Sequence, residues 1–186
     1  MTELESRLYF ARLASPLGWI VLAATVQGLC VVQFCGPERP TEADVRARLQ
    51  AAARSPDLRA DADLQSDTAL LRHFTKPLRA YFQQRSPLPT MPLDLSSGSD
   101  FQQRVWEALC NIPFGETRTY GDIARSIGQP RAARAVGQAC GLNPLAIVVP
   151  CHRVTAQNGK LGGYSGGVEI KKFLLAHEEQ ALMGPA

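Results

Sequence analysis

Three prolines within seven residues, Ser86-Pro87-Leu88-Pro89-Thr90-Met91-Pro92, constrain this chain more than any other feature. Proline has no N–H and fixes φ near about −65°, so the stretch continues neither a helix nor an inner strand and runs extended. It separates two regions with different hydrophobic periods. The boundary is expected near residue 92, giving units 1–92 and 93–186.

The first unit opens with strand-like runs. Leu8 to Leu13, Trp19 to Ala24 and Leu29 to Phe34 are joined by Ser15-Pro16-Leu17-Gly18 and by Gln27-Gly28, both tight-turn signatures. They predict an antiparallel meander. Thr41 caps a polar helix from Glu42 to Arg54, and Asp57 to Asp67 is charged and turn-rich. A second helix, Ala69 to Gln84, carries Leu70, Phe74, Leu78 and Tyr81 on one stripe, with Pro77 expected to kink or shorten it. Leu93-Asp94-Leu95 is expected as a short strand after the prolines. The first unit shows no repeat and no catalytic signature.

The second unit turns helical. Ser99 and Gln102 have capping-box spacing ahead of Phe101, Val105, Leu109 and Ile112. Pro113-Phe114-Gly115 ends that helix, and Thr119 with Asp122 opens the next. After Gly128-Gln129-Pro130, a third helix is expected from Pro130 to about Cys140, with Gly141 as its cap. Two short helices across a three-residue, Gly-containing turn outline a helix-turn-helix, and the whole predicts an α+β chain. The third helix has small residues over most of its surface, with Arg131, Arg134 and Gln138 on one face. Such a helix fits a nucleic-acid groove or close packing against a neighbour.

Net charge is +3, but Thr117 to Lys160 holds six basic residues against Asp122 alone. That local excess marks either a polyanion footprint or a solvated basic face. The five cysteines show no metal or disulfide spacing, which fits a reduced compartment. The N-terminus lacks the pattern of a signal peptide, and no apolar run is long enough to span a bilayer. A cytoplasmic protein without membrane contact is expected.

The chemistry concentrates at Pro150-Cys151-His152-Arg153-Val154, which follows the apolar run Leu145 to Val149, read as a buried strand. A thiol beside an imidazole suits nucleophilic catalysis, because the thiolate is the reactive form. A buried Cys is also a common inert core residue. Downstream, Leu161-Gly162-Gly163-Tyr164-Ser165-Gly166-Gly167 is a glycine-dense loop, a candidate ligand wall or a plain surface loop. The last helix, Val168 to about Leu182, has Ile170, Phe173 and Leu174 as its apolar face. Glu178, four residues after Leu174, points inward and requires a partner, for which His152 is the candidate.

Pro150-Cys151-His152-Arg153-Val154 resembles the active-site signature of the O6-alkylguanine-DNA alkyltransferases, the methylated-DNA–protein-cysteine methyltransferases. The resemblance extends over residues 99–180. It includes Phe101 to Trp106, Ile112 to Thr117, Tyr120-Gly121, Arg134 to Gly137, Asn143-Pro144, Gly162 to Gly167 and Leu174 to Glu178. The first half resembles the family's ribonuclease-H-like domain through Ser15-Pro16-Leu17-Gly18. The resemblance implies a ribonuclease-H-like antiparallel sheet with helices, followed by a winged-helix-like helix-turn-helix alkyltransferase domain. It implies that Cys151 accepts an alkyl group from O6-alkylguanine, and from O4-alkylthymine, in a single suicidal turnover. His152 would take the thiol proton through a water, oriented by Glu178. Tyr120 would donate to the guanine ring, and Tyr164 and Ser165, flanked by Gly162 and Gly166, would wall the pocket. Carbonyl oxygens of Cys151 and Val154 would select the exocyclic amine.

The same resemblance implies that Asn143 ties the helix-turn-helix to the acceptor segment. Arg134 would replace the flipped base, beside Arg131, Ala135, Gly137 and Gln138 in the minor groove of double-stranded DNA. The protein would act as a monomer, alone or cooperatively, without cofactor. Thr25 and Cys30 match part of a structural zinc site of some members without a full ligand set, so no metal is expected. Ala146 stands where some relatives have proline. Three other readings remain beside this one: a non-enzymatic binder of alkylated DNA, a thiol hydrolase built on Cys151, His152 and Glu178, and a helix-turn-helix regulator.

Overall fold

The computed structural model describes residues 8–52, 64–65, 68–84 and 86–183. The chain divides into two compact units, Met1–Gly98 and Ser99–Ala186. In the first, β1 (Leu8–Ser15), β2 (Gly18–Ala24) and β3 (Leu29–Gly36) form the expected antiparallel meander. Two helices follow, α1 (Glu42–Ala52) and, after a two-residue strand β4 (Leu64–Gln65) parallel to β1, α2 (Thr68–Gln84). The sheet order is β3-β2-β1-β4. Most of the charged stretch 57–67 lies outside the described residues.

The strands are apolar at nearly every position because both faces are covered. Leu8, Phe10, Val21, Ala23 and Val31 cluster with Val45 and Leu49 of α1. Leu13, Ile20, Leu22 and Val32 have the opposite parity and are equally buried, and α2 packs against β1 and β2. Leu71, Phe74, Leu78 and Tyr81 make the buried stripe of α2, and the helix runs unbroken through Pro77. The side chain of Leu70 lies outside the described residues.

Residues 93–98 group with the first unit rather than the second. Leu93 makes a single parallel bridge to Leu29 instead of a strand, with Leu29 N–H donating to Pro92 O (3.0 Å) and Asp94 N–H to Leu29 O (2.9 Å). The buried Asp94 carboxylate then accepts from Thr25 Oγ1 (2.7 Å), Ser96 N (3.1 Å) and Ser96 Oγ (2.5 Å). A side chain at Gly28 would meet Pro92 O at 2.5 Å, so the clasp closes only over glycine.

The second unit packs α3 (Asp100–Cys110), α4 (Tyr120–Ser126) and α5 (Ala133–Gly141) together. The expected capping box of Ser99 with Gln102 forms, and Thr119 with Asp122, expected to open α4, closes a second one. Trp106 Nε1 donates to Ala139 O (2.9 Å), fixing α3 on α5. α5 starts three residues later than expected, because Ala132 offers no side-chain cap and Pro130-Arg131 stays in a turn closed by Ala132 N–H to Gln129 O (2.9 Å). Arg131 therefore lies before the helix that carries Arg134 and Gln138. Gly141 is the last helical residue, and Leu142 takes the cap position. Strand β5 (Arg118–Thr119) pairs in parallel with β6 (Val154–Thr155), and α6 (Val168–Met183) closes the unit. Among the described residues, no helix is long and apolar enough to cross a membrane.

Candidate active site

Leu145 to Val149 is buried apart from half-buried Val148, but it is not the expected strand. It is a run of tight turns. Val148 N–H donates to Ala146 O, Val149 N–H to Leu145 O (both 2.9 Å), and Cys151 N–H to Val149 O (2.8 Å). Ile147, at the apex of the first turn, has φ 71°, a conformation that strains a β-branched residue. An apolar pentapeptide reads alike as a strand or as a buried turn, since burial sets composition in both. Backbone groups buried outside a sheet need other partners, and Asn143 supplies them. Its Oδ1 accepts from Leu145 N (2.9 Å), and its Nδ2 donates to Val149 O (2.8 Å) and to Cys151 Sγ (3.1 Å).

Cys151 begins a 3-10 turn, Cys151–Arg153, and is 4% exposed. Burial pushes its thiol above the usual range, and the Asn143 hydrogen bond and the Lys171 charge oppose this without reversing it. The resting group is a thiol, and forming its thiolate would require a base.

His152 is fully buried, and burial lowers its pKa despite the adjoining carboxylate, so the ring is neutral. Its Nε2 lies 2.9 Å from Glu178 Oε1, and a carboxylate only accepts, so Nε2 carries the proton. Nδ1 is then a bare acceptor, buried and without a protein partner among the described residues.

Glu178 gathers more than His152. Arg153 Nε donates to Oε2 (2.9 Å), Arg153 Nη2 to Oε1 (3.0 Å), and Gly115 N–H to Oε2 (2.9 Å). Burial alone would raise this carboxyl, but the hydrogen bonds from His152 and Arg153 win and bring it to about 2. Arg153 also donates to Ile112 O (2.7 Å) and lies over the Phe114 ring. It is consumed internally and adds nothing to a basic surface. Arg118 pairs with Glu116, and Arg125 with Asp122. Exposed Arg131, Arg134 and Lys160 form no ion pair among the described residues.

Pairing of β5 with β6 brings Tyr120, the first residue of α4, towards the acceptor segment. A Cβ on Gly162 would sit 2.8 Å from Tyr120 Oη, and one on Gly137 would sit 3.7 Å from the ring, so both backbones line Tyr120 closely. Burial, and then the charges that Cys140 and Cys151 would carry as thiolates, raise the Tyr120 pKa, keeping its hydroxyl a donor. Tyr164 Oη is buried without a partner among the described residues, and burial followed by Cys151 holds its pKa well above the usual value. Ser165 is exposed and Gly166 half-buried on the same loop. On α5, Arg134 and Gln138 face solvent, Ala135 and Gly137 are half-buried, and Val136 and Ala139 face inward.

Sequence reasoning missed Lys171. It is fully buried, its Nζ donating to Val154 O (2.5 Å) and to Leu161 O, and burial pulls its pKa down. It lies three residues before Leu174 and seven before Glu178, on the stripe that turned Glu178 inward, so helical spacing alone marks it. It ties the glycine loop to Val154, and its charge favours the Cys151 thiolate. Val154 O retains a second lone pair for a ligand.

Two family models cover most of the chain. Residues 8–95 match the ribonuclease-like domain of 6-O-methylguanine DNA methyltransferase, and residues 100–180 match its DNA binding domain. The chain is 42% identical to a methylated-DNA--protein-cysteine methyltransferase of Methanosarcina barkeri over 94% of its own length and 99% of that protein's. It is 58% identical over 102 residues to the protein of that name from Mycobacterium tuberculosis, covering 55% of this chain and 61% of that one. Among solved structures, it is similar to Mycobacterium tuberculosis OGT in complex with DNA, with TM-score 0.75, 39% identity and coverage of 93% and 94% of the two chains. With the residues of both halves matched in order and the acceptor segment built as described, the chain belongs to the methylated-DNA–protein-cysteine methyltransferase family.

Proposed function

We propose that this protein repairs DNA by moving the alkyl group of O6-alkylguanine, and of O4-alkylthymine, onto its own Cys151. The carrying observation is the buried thiol beside a neutral His152 whose Nε2–H is bound to Glu178, leaving Nδ1 to accept a proton. The Cys151 S–H proton passes through a water to Nδ1. The sulfur attacks the alkyl carbon, a C–S bond forms, and the bond from carbon to O6 breaks. Negative charge then develops on the leaving guanine, where Tyr120 donates to the ring nitrogen. Tyr164 and Ser165 border the base, with Gly162 and Gly166 bringing backbone close. The carbonyl oxygens of Cys151 and Val154 accept from the exocyclic amine. The product thioether is stable, so one molecule repairs one lesion, without cofactor.

The target base must leave the stack to reach a buried thiol. We assign Arg134 to fill the vacated space from the minor groove of double-stranded DNA, with Arg131, Ala135, Gly137 and Gln138 along the groove. The protein acts as a monomer on DNA in the cytoplasm. Incubation with duplex containing O6-methylguanine, followed by mass spectrometry, tests the reading. One methylene is gained per protein, on Cys151, in a burst equal to protein concentration, and Cys151→Ala abolishes it. A mass that does not change points to a non-enzymatic binder; turnover beyond one equivalent points to a hydrolase.

A further inference from the structure

The first half of the chain looks electrically neutral, with 11 basic and 10 acidic residues in positions 1–99, but the charges are segregated. From Thr68 to Leu93 there are four basic residues and no acid. Three of them, Arg72, Lys76 and Arg79, follow one another at helical spacing on α2 and are exposed, opposite the stripe that packs on the sheet. None forms an ion pair among the described residues. Like charges four apart repel, and here no carboxylate on the helix relieves them. The proline-rich segment runs beside this face, and Arg72, Lys76, Pro77, Ser86, Pro87 and Pro89 help line a groove of about 510 Å³.

We propose that this face of α2 is a second phosphate-binding surface, which takes the sugar-phosphate backbone of duplex DNA apart from the helix-turn-helix. The proposal rests on the DNA-repair reading above. From Arg72 to Arg79 the helix rises about 10 Å at 1.5 Å per residue. Phosphates along one strand are spaced about 3.4 Å along the duplex axis, so three cations meet about three phosphates. Pro77, Pro87 and Pro89 wall the groove beside the cations, and Ser86 and His73 on the same wall offer further donors to a phosphate. Such contacts carry no sequence information and add affinity on any duplex.

The test compares the full chain with Arg72→Gln/Lys76→Gln/Arg79→Gln and with the charge-preserving Arg72→Lys/Arg79→Lys, by fluorescence anisotropy on undamaged duplex between 50 and 200 mM salt. The neutral variant's plot of log affinity against log salt is expected to be shallower by about 0.9 per lost phosphate contact, about 2.7 in all, so its deficit shrinks about 40-fold across that range. The charge-preserving variant keeps the wild-type slope. Transfer from free O6-benzylguanine is unchanged in both, which with unchanged thermal melts shows that they are folded. An unchanged slope in the neutral variant overturns the proposal. So does a loss confined to protein-density-dependent binding, which assigns the face to an acidic protein surface. Wild type that neither binds duplex nor transfers alkyl would instead overturn the repair reading itself.

Discussion

Glu178 sets the charge state of the acceptor site, and pH reveals it. Its carboxyl falls from 4.5 to about 2 on folding, so it contributes stability above about pH 4.5 that is lost as pH falls towards 2. By linkage the full effect is about 3 kcal/mol. His152 acts in the same direction. Its folded pKa lies below 6.5, so the unfolded chain takes up its proton first and stability declines as pH drops below 6.5. The rate of transfer from free O6-benzylguanine should therefore be level around neutral pH, and its acid limb should lie below pH 6.5, where His152 Nδ1 becomes protonated. An acid limb above 6.5 would contradict a neutral resting imidazole. Glu178→Gln leaves buried Arg153 without its counter-charge, an expected loss of about 3–5 kcal/mol measured by urea unfolding. The inward turn of Glu178 was legible from helical spacing. Its second partner was not, because Arg153 read as one more surface base, and Lys171 was passed over because lysine is rarely buried.

At the scale of elements, local hydrogen bonding was readable and buried backbone was not. Ser99 with Gln102, and Thr119 with Asp122, announce their helices because each box closes within four residues. The Leu145–Val149 turns hide their irregularity, since their partner is an asparagine side chain rather than a repeating ladder. A sharp consequence falls on Ile147. Removing its buried side chain costs about 2–5 kcal/mol whether alanine or glycine replaces it. At φ 71° alanine keeps the strain, whereas glycine has none. Ile147→Gly should therefore be more stable than Ile147→Ala by about 1 kcal/mol, the reverse of the usual order within helices and strands. Denaturant midpoints of the two variants decide it, and the ordinary order would show that the turn relaxes once its side chain is cut. Asn143→Ala should also lower the denaturant midpoint. It strands Leu145 N in the interior, at about 1–3 kcal/mol, and takes one of two donors from Val149 O, which keeps Cys151 N–H.

Over the whole molecule, the proposed roles assign capture of DNA and transfer of the alkyl group to different residues, and kinetics can separate them. The groups proposed to take part in the reaction, Cys151, His152, Glu178 and Tyr120, all lie in Ser99–Ala186, as do Lys171 and Asn143. Arg134 is exposed on α5 and forms no hydrogen bond or ion pair with these side chains among the described residues. The basic excess between Thr117 and Lys160 was legible as a sum, but the fold redistributes it: Arg153 is buried on Glu178, and Arg118 and Arg125 are paired. The exposed bases of that stretch without an ion pair among the described residues are Arg131, Arg134 and Lys160. A free base needs no flipping, so its reaction reports the acceptor chemistry alone. Arg134→Ala should leave that rate within about twofold of wild type while slowing repair of O6-methylguanine in duplex by at least tenfold, about 1.4 kcal/mol of the transition-state free energy. In single-stranded DNA, where unstacking is cheaper, the deficit should shrink. Equal slowing on free base, single strand and duplex would place Arg134 among the groups that support Cys151 rather than among those that empty the helix of its damaged base.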